Sequence, residues 1–302
     1  MANTFLRLSE WKVRGITRNP GSTAAQAHAA EGVEIVKGDL DDKGSLLASF
    51  KGATAIFSNT DFFGHLGDAL ISPEITKGRT PNQYAYDRQV EQSLNIARAA
   101  ASTSTLETLE RFVLSSLSEA RKLSKGKYTK IYHNDCKAEM IQLIQDQFPA
   151  LAERMNFVQV GHYVRNWQIS PALRPQKQAD GSFQVRRTFS PEYQMPFIVT
   201  HEDTGAFVKA LVDLTPGTHL LGVSEYMTWP EWTELWGRVN GVKATFVQVS
   251  EEEYFAGMPE ALKEELIDSF RYVEEFGYTG GDPDVVDPEE VSHPAPFGIM
   301  AR

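Results

Sequence analysis

Through its first half the chain alternates short apolar, β-branched runs with stretches in which apolar residues recur every three or four positions. Lys12-Val13-Arg14-Gly15-Ile16-Thr17 reads as a strand, and the Ala-rich stretch from Ser22 to Ala30 as a helix. Val33-Glu34-Ile35-Val36 predicts a second strand, Asp41 to Phe50 a helix capped by Asp41 or Asp42, and Ala53-Thr54-Ala55-Ile56-Phe57-Ser58 a third strand. A longer helix is predicted from Asn82 to Ala101, with Val90, Leu94 and Ala97 on one buried face. Arg111-Phe112-Val113-Leu114-Ser115 forms the fourth strand, His133 to Gln147 another helix, and Phe157-Val158-Gln159-Val160 the fifth strand. Strands separated by helices of this length imply βαβ units. They assemble into a parallel sheet covered on both faces, with right-handed crossovers.

After Gly161 the pattern changes. Trp167 to Tyr193 is rich in Pro, Gln and Arg and reads as loops with short strands; His201 to Asp213, Trp229 to Val239 and Glu251 to Tyr272 read as helices. From Thr279 the chain carries Gly280-Gly281, Pro283, Pro288, Pro294 and Pro296 among acids, the composition of an irregular tail. The expected division is a nucleotide-binding domain over 1–160 and a smaller α/β subdomain over 161–302.

Composition narrows the class. The chain of 302 residues is 41% hydrophobic and 23% charged, ordinary for a globular protein, and its net charge is −10. Direct nucleic-acid binding needs a basic face, and the nearest approach to one, Arg121-Lys122 with Lys125, Lys127 and Lys130, reads as a solvated loop. With one cysteine, Cys136, no intramolecular disulfide forms. No apolar run reaches the ~18 residues of a membrane span, and Met1 to Leu8 has no signal-peptide core. A cytoplasmic protein is expected, with nuclear entry left open. His162, His201 and His219 are too scattered to form a metal site, and Trp167, Trp229, Trp232 and Trp236 suit core or lid packing.

One expected feature is missing. A doubly wound nucleotide-binding fold opens with a strand, a Gly-rich turn and a helix, whose N-terminus receives the pyrophosphate. This chain opens on Ala2-Asn3-Thr4-Phe5-Leu6-Arg7-Leu8, which reads as the end of that helix, and no Gly-x-Gly-x-x-Gly occurs anywhere. Gly64-His65-Leu66-Gly67 follows the third strand and reads as a surface turn. Two accounts compete: a start assigned internally, with roughly 15–20 residues preceding it, or a sheet that truly lacks its central first strand. The second leaves two rows of unpaired backbone groups, which favours the first.

Several ordered segments carry a family likeness. They are Val13 to Pro20, Val36 to Asp42, Ile56 to Phe62, His133 to Glu139, Gly161 to Asn166 and Met195 to Gly205. Together they resemble the NmrA-like branch of the short-chain dehydrogenase/reductase superfamily. The resemblance implies a Rossmann-type doubly wound parallel sheet with a smaller C-terminal α/β subdomain, and a nicotinamide dinucleotide held at the carboxyl ends of the strands. Arg18, beside Asn19 and with no acid nearby, suits a 2′-phosphate and so NADP rather than NAD. Asp39 and Leu40 are expected to flank the adenine, Asp39 also being a candidate helix cap. Asn59, Thr60 and Asp61 end the third strand at the ligand-binding edge. Tyr163 and Asn166 lie where family members close a loop over the nicotinamide.

The resemblance bears most on His133-x-x-x-Lys137. Active members of the superfamily carry Tyr-x-x-x-Lys, whose Lys holds the cofactor ribose and lowers the Tyr pKa. Here Lys137 is kept as a cofactor ligand and His133 takes the Tyr position, with Tyr132 and Tyr128 nearby. Ser115 at the end of the fourth strand, with Ser116 beside it, is the candidate for holding a substrate carbonyl or for capping a turn. Two functions stay open. One is an NADP(H)-dependent oxidoreductase acting on a small carbonyl or hydroxy compound, with Lys137, His133 and Ser115 as its catalytic group. The other is a catalytically silent NADP(H) sensor that regulates a protein partner.

Overall fold

The most continuous apolar runs form the most buried strands. The computed structural model describes residues 1–291. Its first five strands are β1 (Arg14–Thr17), β2 (Glu34–Lys37), β3 (Ala55–Ser58), β4 (Arg111–Ser116) and β5 (Met155–Val160). The remaining strands are β6 (His162–Tyr163), β7 (Gln176–Lys177), β8 (Phe183–Arg187), β9 (Met195–Ile198), β10 (His219–Gly222), β11 (Glu225–Met227), β12 (Ala244–Gln248) and β13 (Val285–Val286). The principal helices are α1 (Ala2–Leu6), α2 (Thr23–Ala30), α3 (Lys43–Phe50), α4 (Phe62–Ile71), α5 (Pro81–Ala100), α6 (Tyr132–Gln147), α7 (Thr200–Asp213), α8 (Trp229–Asn240) and α9 (Glu260–Phe276).

The main sheet is parallel, in the order β13-β10-β5-β4-β3, as the βαβ pattern requires. Side chains alternate across it. From β4, Phe112 and Leu114 join Leu46 and Phe50 of α3, Ile96 and Ala100 of α5, and Met140 and Ile144 of α6. Val113 points the other way, into a cluster with Phe5 of α1, Val158, Ile198, Phe207, Leu211 and Leu220. The sheet is therefore covered on both faces, the doubly wound arrangement expected. A third cluster gathers Val185, Phe189, Phe197, Trp229, Trp232 and Trp236, with Trp167 against it. It packs around two three-stranded sheets, β11-β9-β6 and β12-β8-β7. Two strands from the second half, β10 and β13, return to the main sheet.

Among the described residues β1 and β2 pair only with each other, and β3 is an end strand of the main sheet. The break lies where the central first strand of a doubly wound sheet belongs. Ile16 of β1 is consequently 37% exposed despite its apolar side chain. The small sheet stays attached through α3, which packs on α5, and through Arg14, whose Nη1 donates to the carbonyls of Ser49 (2.9 Å) and Lys51 (3.1 Å).

Four local expectations change. The residues Gly64 to Gly67 form no surface turn but lie inside α4, with Leu66 1% exposed. Asp61 caps that helix by accepting from the Gly64 N–H (2.9 Å), and a Cβ at Gly64 would collide with that carboxylate. The buried face of α5 is rotated from the one expected. Ala85, Gln89, Gln92, Ser93, Ile96 and Ala97 are buried, whereas Val90 and Leu94 are half-buried. Small and amide side chains let α5 lie close between α4 and α6, and neighbours satisfy several of them; Gln92 Nε2 donates to Asp41 (3.0 Å) and Asn95 Nδ2 to the Leu40 carbonyl (2.9 Å). The single helix expected over Glu251 to Tyr272 is broken between Tyr254 and Glu260, where Gly257 takes φ +76° and Pro259 has no N–H to donate. The tail from Thr279 is ordered as far as Val291, since β13 pairs with β10 and Pro288–Glu290 form a 3-10 turn; Pro294 and Pro296 lie outside the described residues.

Amide hydrogen exchange should rank the sheets accordingly. Amides of β4 and β5, buried with a partner on both sides, should exchange slowest, and those of β1 and β2 markedly faster. Equal protection across β1, β2, β4 and β5 would contradict the split.

Candidate functional site

Parallel strands bring their carboxyl ends to one edge, and loops leaving that edge collect the polar residues. β3 runs into Asn59-Thr60-Asp61 before α4, β4 ends at Ser115-Ser116, and β5 leads through Gly161 to His162 and Tyr163. Across these ends lies α6. Its Lys137 is 7% exposed, and its Nζ donates to the Ser115 carbonyl (2.9 Å), Ser115 Oγ (3.3 Å) and Asn59 Oδ1 (3.3 Å). Burial strips water from this amine and lowers its pKa to about 8, against the opposing pull of Cys136 and the Asp61 carboxylate. The same Asp61, with burial as the larger cause, raises the pKa of Tyr163.

The adjacent serines part company because strand neighbours face opposite sides. Ser115 meets Lys137, whereas Ser116 Oγ bonds His219 Nε2 (2.8 Å) on the other face. Neither caps a turn. Thr60 is buried and its Oγ1 has no hydrogen-bond partner, as is true of Ser58 Oγ. Asn166 opens a short helical turn, and its Nδ2 lies 3.5 Å from His162 Nε2.

His133 and Lys137, four residues apart, share a face of α6. The His133 ring rests on Phe63 (5.1 Å between centroids) and Phe62 (6.1 Å), and its Nδ1 is hydrogen-bonded to Glu265 of α9. The nearby tyrosines are engaged elsewhere. Tyr128 is buried and donates to Glu275 (2.7 Å), and Tyr132 packs edge-on against Tyr86. The sequence reading missed Glu265. Its signal was an acid on the stripe shared by Ala261, Leu262 and Tyr272, where spacing calls for an apolar residue.

Arg18 and Asp39 follow the ends of the paired strands β1 and β2, and Gly38 N–H donates to the Thr17 carbonyl between them (3.0 Å). Arg18 is exposed. Asn19 shapes the turn, its Oδ1 accepting from Gly21 N–H (3.2 Å). Of the acids that follow β2, Asp42 caps α3 by accepting from the Gly44 and Ser45 N–H groups (2.9 and 3.3 Å), while Asp39 closes a tighter turn on Asp41 N–H (3.0 Å). Leu40 packs against the core. The structure thus gathers Lys137, Ser115 and Asn59, with Asp61 and Tyr163 close by, and keeps Arg18, Asn19, Asp39 and Leu40 on the separate two-stranded sheet.

A buried lysine reaching a strand-end serine from a helix laid over a doubly wound sheet is a specific arrangement. The sequence matches the NmrA-like family over residues 1–295. This chain belongs to the NmrA-like family. Among its relatives, the NmrA-like family domain-containing oxidoreductase hkm9 of Aspergillus hancockii is 27% identical over 298 residues, covering 94% of this chain and 82% of that protein. The fold matches NmrA, a negative transcriptional regulator solved in complex with NADP, at a TM-score of 0.66 and 18% identity, over 99% of this chain and 81% of that one. It also matches the Citrobacter triphenylmethane reductase complexed with NADP(H), at a TM-score of 0.57 and 16% identity, over 88% of this chain and 83% of that one.

The residues of this NmrA-like chain suit the ribose and nicotinamide end of a dinucleotide: a buried amine with two side-chain oxygen partners, and beside Asn59 the unpartnered Thr60 hydroxyl. Its sequence has no Gly-x-Gly-x-x-Gly to cradle a pyrophosphate. Among the described residues no group of three or more His, Cys, Asp or Glu is placed to hold a metal, and no helix is long and apolar enough to cross a membrane.

The lowered Lys137 pKa has a measurable consequence. Between about pH 8, the folded value, and 10.5, the ordinary one, the unfolded chain binds more protons than the folded chain, so stability rises with pH across that window. Relative to Lys137→Met, which removes this titration, the native protein should gain at most about 1.4 kcal/mol per pH unit there. Urea unfolding of both proteins below and within the window checks it, and a stability difference flat in pH would show an amine of ordinary basicity.

Proposed function

We propose that this NmrA-like protein is an NADP(H)-dependent oxidoreductase acting on a small carbonyl or hydroxy compound. The observation that carries the reading is the buried Lys137 amine, shared between Ser115 and Asn59 at the carboxyl ends of β4 and β3. When bound, the dinucleotide supplies the hydride chemistry. The chain's own residues bind and orient. Lys137 holds the cofactor ribose, with Asn59, Thr60 and Asp61 along the same edge and Tyr163 and Asn166 over it. Arg18 and Asn19 hold the 2′-phosphate end, where a guanidinium gives a charge-assisted bond, and Asp39 with Leu40 borders the adenine. Ser115 Oγ accepts from Lys137, which leaves its own hydrogen for the substrate oxygen. His133 supplies or removes the proton on that oxygen.

A second reading is a silent NADP(H) sensor that acts on a protein partner. It is favoured by His133 standing where the superfamily's catalytic tyrosine belongs, and by the likeness to a transcriptional regulator. Neither reading invokes direct nucleic-acid contact.

Fluorescence titration with NADPH and NADH, followed by Arg18→Glu, tests the cofactor assignment. NADPH should bind more tightly, and the substitution should weaken NADPH by roughly ten- to a hundredfold while sparing NADH. Equal binding of both, unchanged by Arg18→Glu, would overturn the role given to Arg18. NADPH oxidation with a panel of small carbonyl compounds separates the readings. The enzyme reading expects turnover that Lys137→Ala abolishes; the sensor reading expects binding with none.

A further inference from the structure

The N-terminus of α6 lacks a cap of its own, because Ile131 stands at the capping position and has no acceptor. The missing acceptor comes from the other half of the molecule. Glu265 of α9 is 0% exposed, and its carboxyl group makes four hydrogen bonds, two on each oxygen. Oε1 accepts from the His133 N–H (3.1 Å) and bonds His133 Nδ1; Oε2 accepts from the Tyr132 N–H (3.1 Å) and from Asn82 Nδ2 of α5 (3.3 Å). Asn82 is itself held by a second bond, to the Ala261 carbonyl at the start of α9 (2.9 Å).

Those contacts bear on a proton position. A carboxylate has about four lone-pair sites, and a protonated carboxyl would have to give one up to a hydrogen. Tyr132 N–H, His133 N–H and Asn82 Nδ2 can only donate, and three donors converging on one carboxyl group stabilise its negative charge, which makes His133 Nδ1 the fourth donor. The ring then exchanges protons through Nε2 alone. In the neutral ring Nε2 is bare and acts as a base; in the charged ring Nε2–H is the acid, and the buried Glu265 anion balances the charge. Of the other ionisable groups near this helix start, Lys130 pairs with Glu264 (2.5 Å), Tyr86 bonds Glu139, and Asp135 accepts from the Arg121 N–H (3.0 Å) while burial, and to a smaller extent Glu265, raises its pKa. The remaining wall of the ring is Phe62 and Phe63.

We propose that Glu265 is a positioning residue for His133, fixing its Nδ1–H tautomer and orientation so that Nε2 serves as the acid–base group of the site. It rests on the oxidoreductase reading for the use of that proton, but not for the tautomer.

Two measurements test it separately. Long-range proton–nitrogen NMR of the native protein, with His133 assigned through His133→Asn, should show the neutral ring as a single Nδ1–H tautomer. A predominantly Nε2–H ring overturns the proposal whether or not the protein turns over substrate, and needs no variant of Glu265 to fold. Kinetics then follow Glu265→Gln, which keeps the shape but replaces one oxygen with a donor. The expected result is a fall in kcat of roughly a hundredfold, with KM and the NADPH dissociation constant nearly unchanged. In His133→Ala, adding Glu265→Gln should cost nothing further, since a residue that acts through His133 has nothing left to act on. A further loss in the double variant, or a parallel loss of NADPH binding in the single one, would show a merely structural cap and overturn the role. Native protein that binds NADPH, shows the Nδ1–H tautomer and reduces nothing refutes the oxidoreductase reading and leaves the positioning of His133 standing.

Discussion

The burial of one ammonium group organises this molecule's site. Placing Lys137 where water does not reach costs free energy unless its donors find acceptors, and the backbone supplies the nearest one, the Ser115 carbonyl at 2.9 Å. That carbonyl lies just past the last β3–β4 pair, Ser58 with Leu114, and β4 is positioned by Phe112 and Leu114 on one face and Val113 on the other. The helix that presents Lys137 is pressed to the same sheet by Met140 and Ile144, in the same cluster as Phe112 and Leu114. Core packing and site geometry are thus one arrangement. A change that shifts α6 along the sheet misplaces the amine before it touches any ligand.

How far the sequence disclosed this varies with the kind of signal. Buried strands were legible because Phe112-Val113-Leu114 and Phe157-Val158 are short apolar runs set between helical stretches, and a parallel sheet follows from those helices. Lys137 and Ser115 were legible through the spacing of a known motif and the end of a strand. The face of α5 was not. Its contacts are made by Ala85, Gln89, Ser93 and Ala97, and hydrophobicity marks only part of a face that packs by being small. The break after Tyr254 was missed for a similar reason: acids and apolar residues keep helical spacing across Gly257 and Pro259, and two backbone constraints outweigh the pattern. Glu265 showed locally only as an acid on an apolar stripe; its partners, more than 130 residues away in the chain, were not legible.

The split between β1–β2 and the main sheet divides the candidate cofactor site in the same way. Lys137, Ser115 and Asn59 meet at the edge of the five-stranded sheet, whereas Arg18 and Asp39 follow a pair of strands attached through α3 and Arg14. Groups on one rigid body keep their mutual distances to a fraction of an ångström; groups on two bodies do so only if something joins them. For a dinucleotide that spans both, recognition at the phosphorylated ribose and at the nicotinamide is therefore coupled through how the two sheets sit together. In the structure that coupling runs through α3 and α5, whose contact includes Leu46, Phe50 and Ile96.

The two halves of the chain meet at the start of α6, and this explains why a carboxylate is buried there at all. An apolar residue at position 265 would pack well but would leave the Tyr132 and His133 N–H groups without this acceptor and take from the Asn82 amide one of its two. A polar group of the right length on α9 satisfies all three, so the second half is held against the helix that carries Lys137. Hydrogen bonding specifies this contact more sharply than apolar packing alone, because four hydrogen bonds converging on two oxygens tie α9 to the first turn of α6. The second half is in this way registered against α6 to within the tolerance of a hydrogen bond.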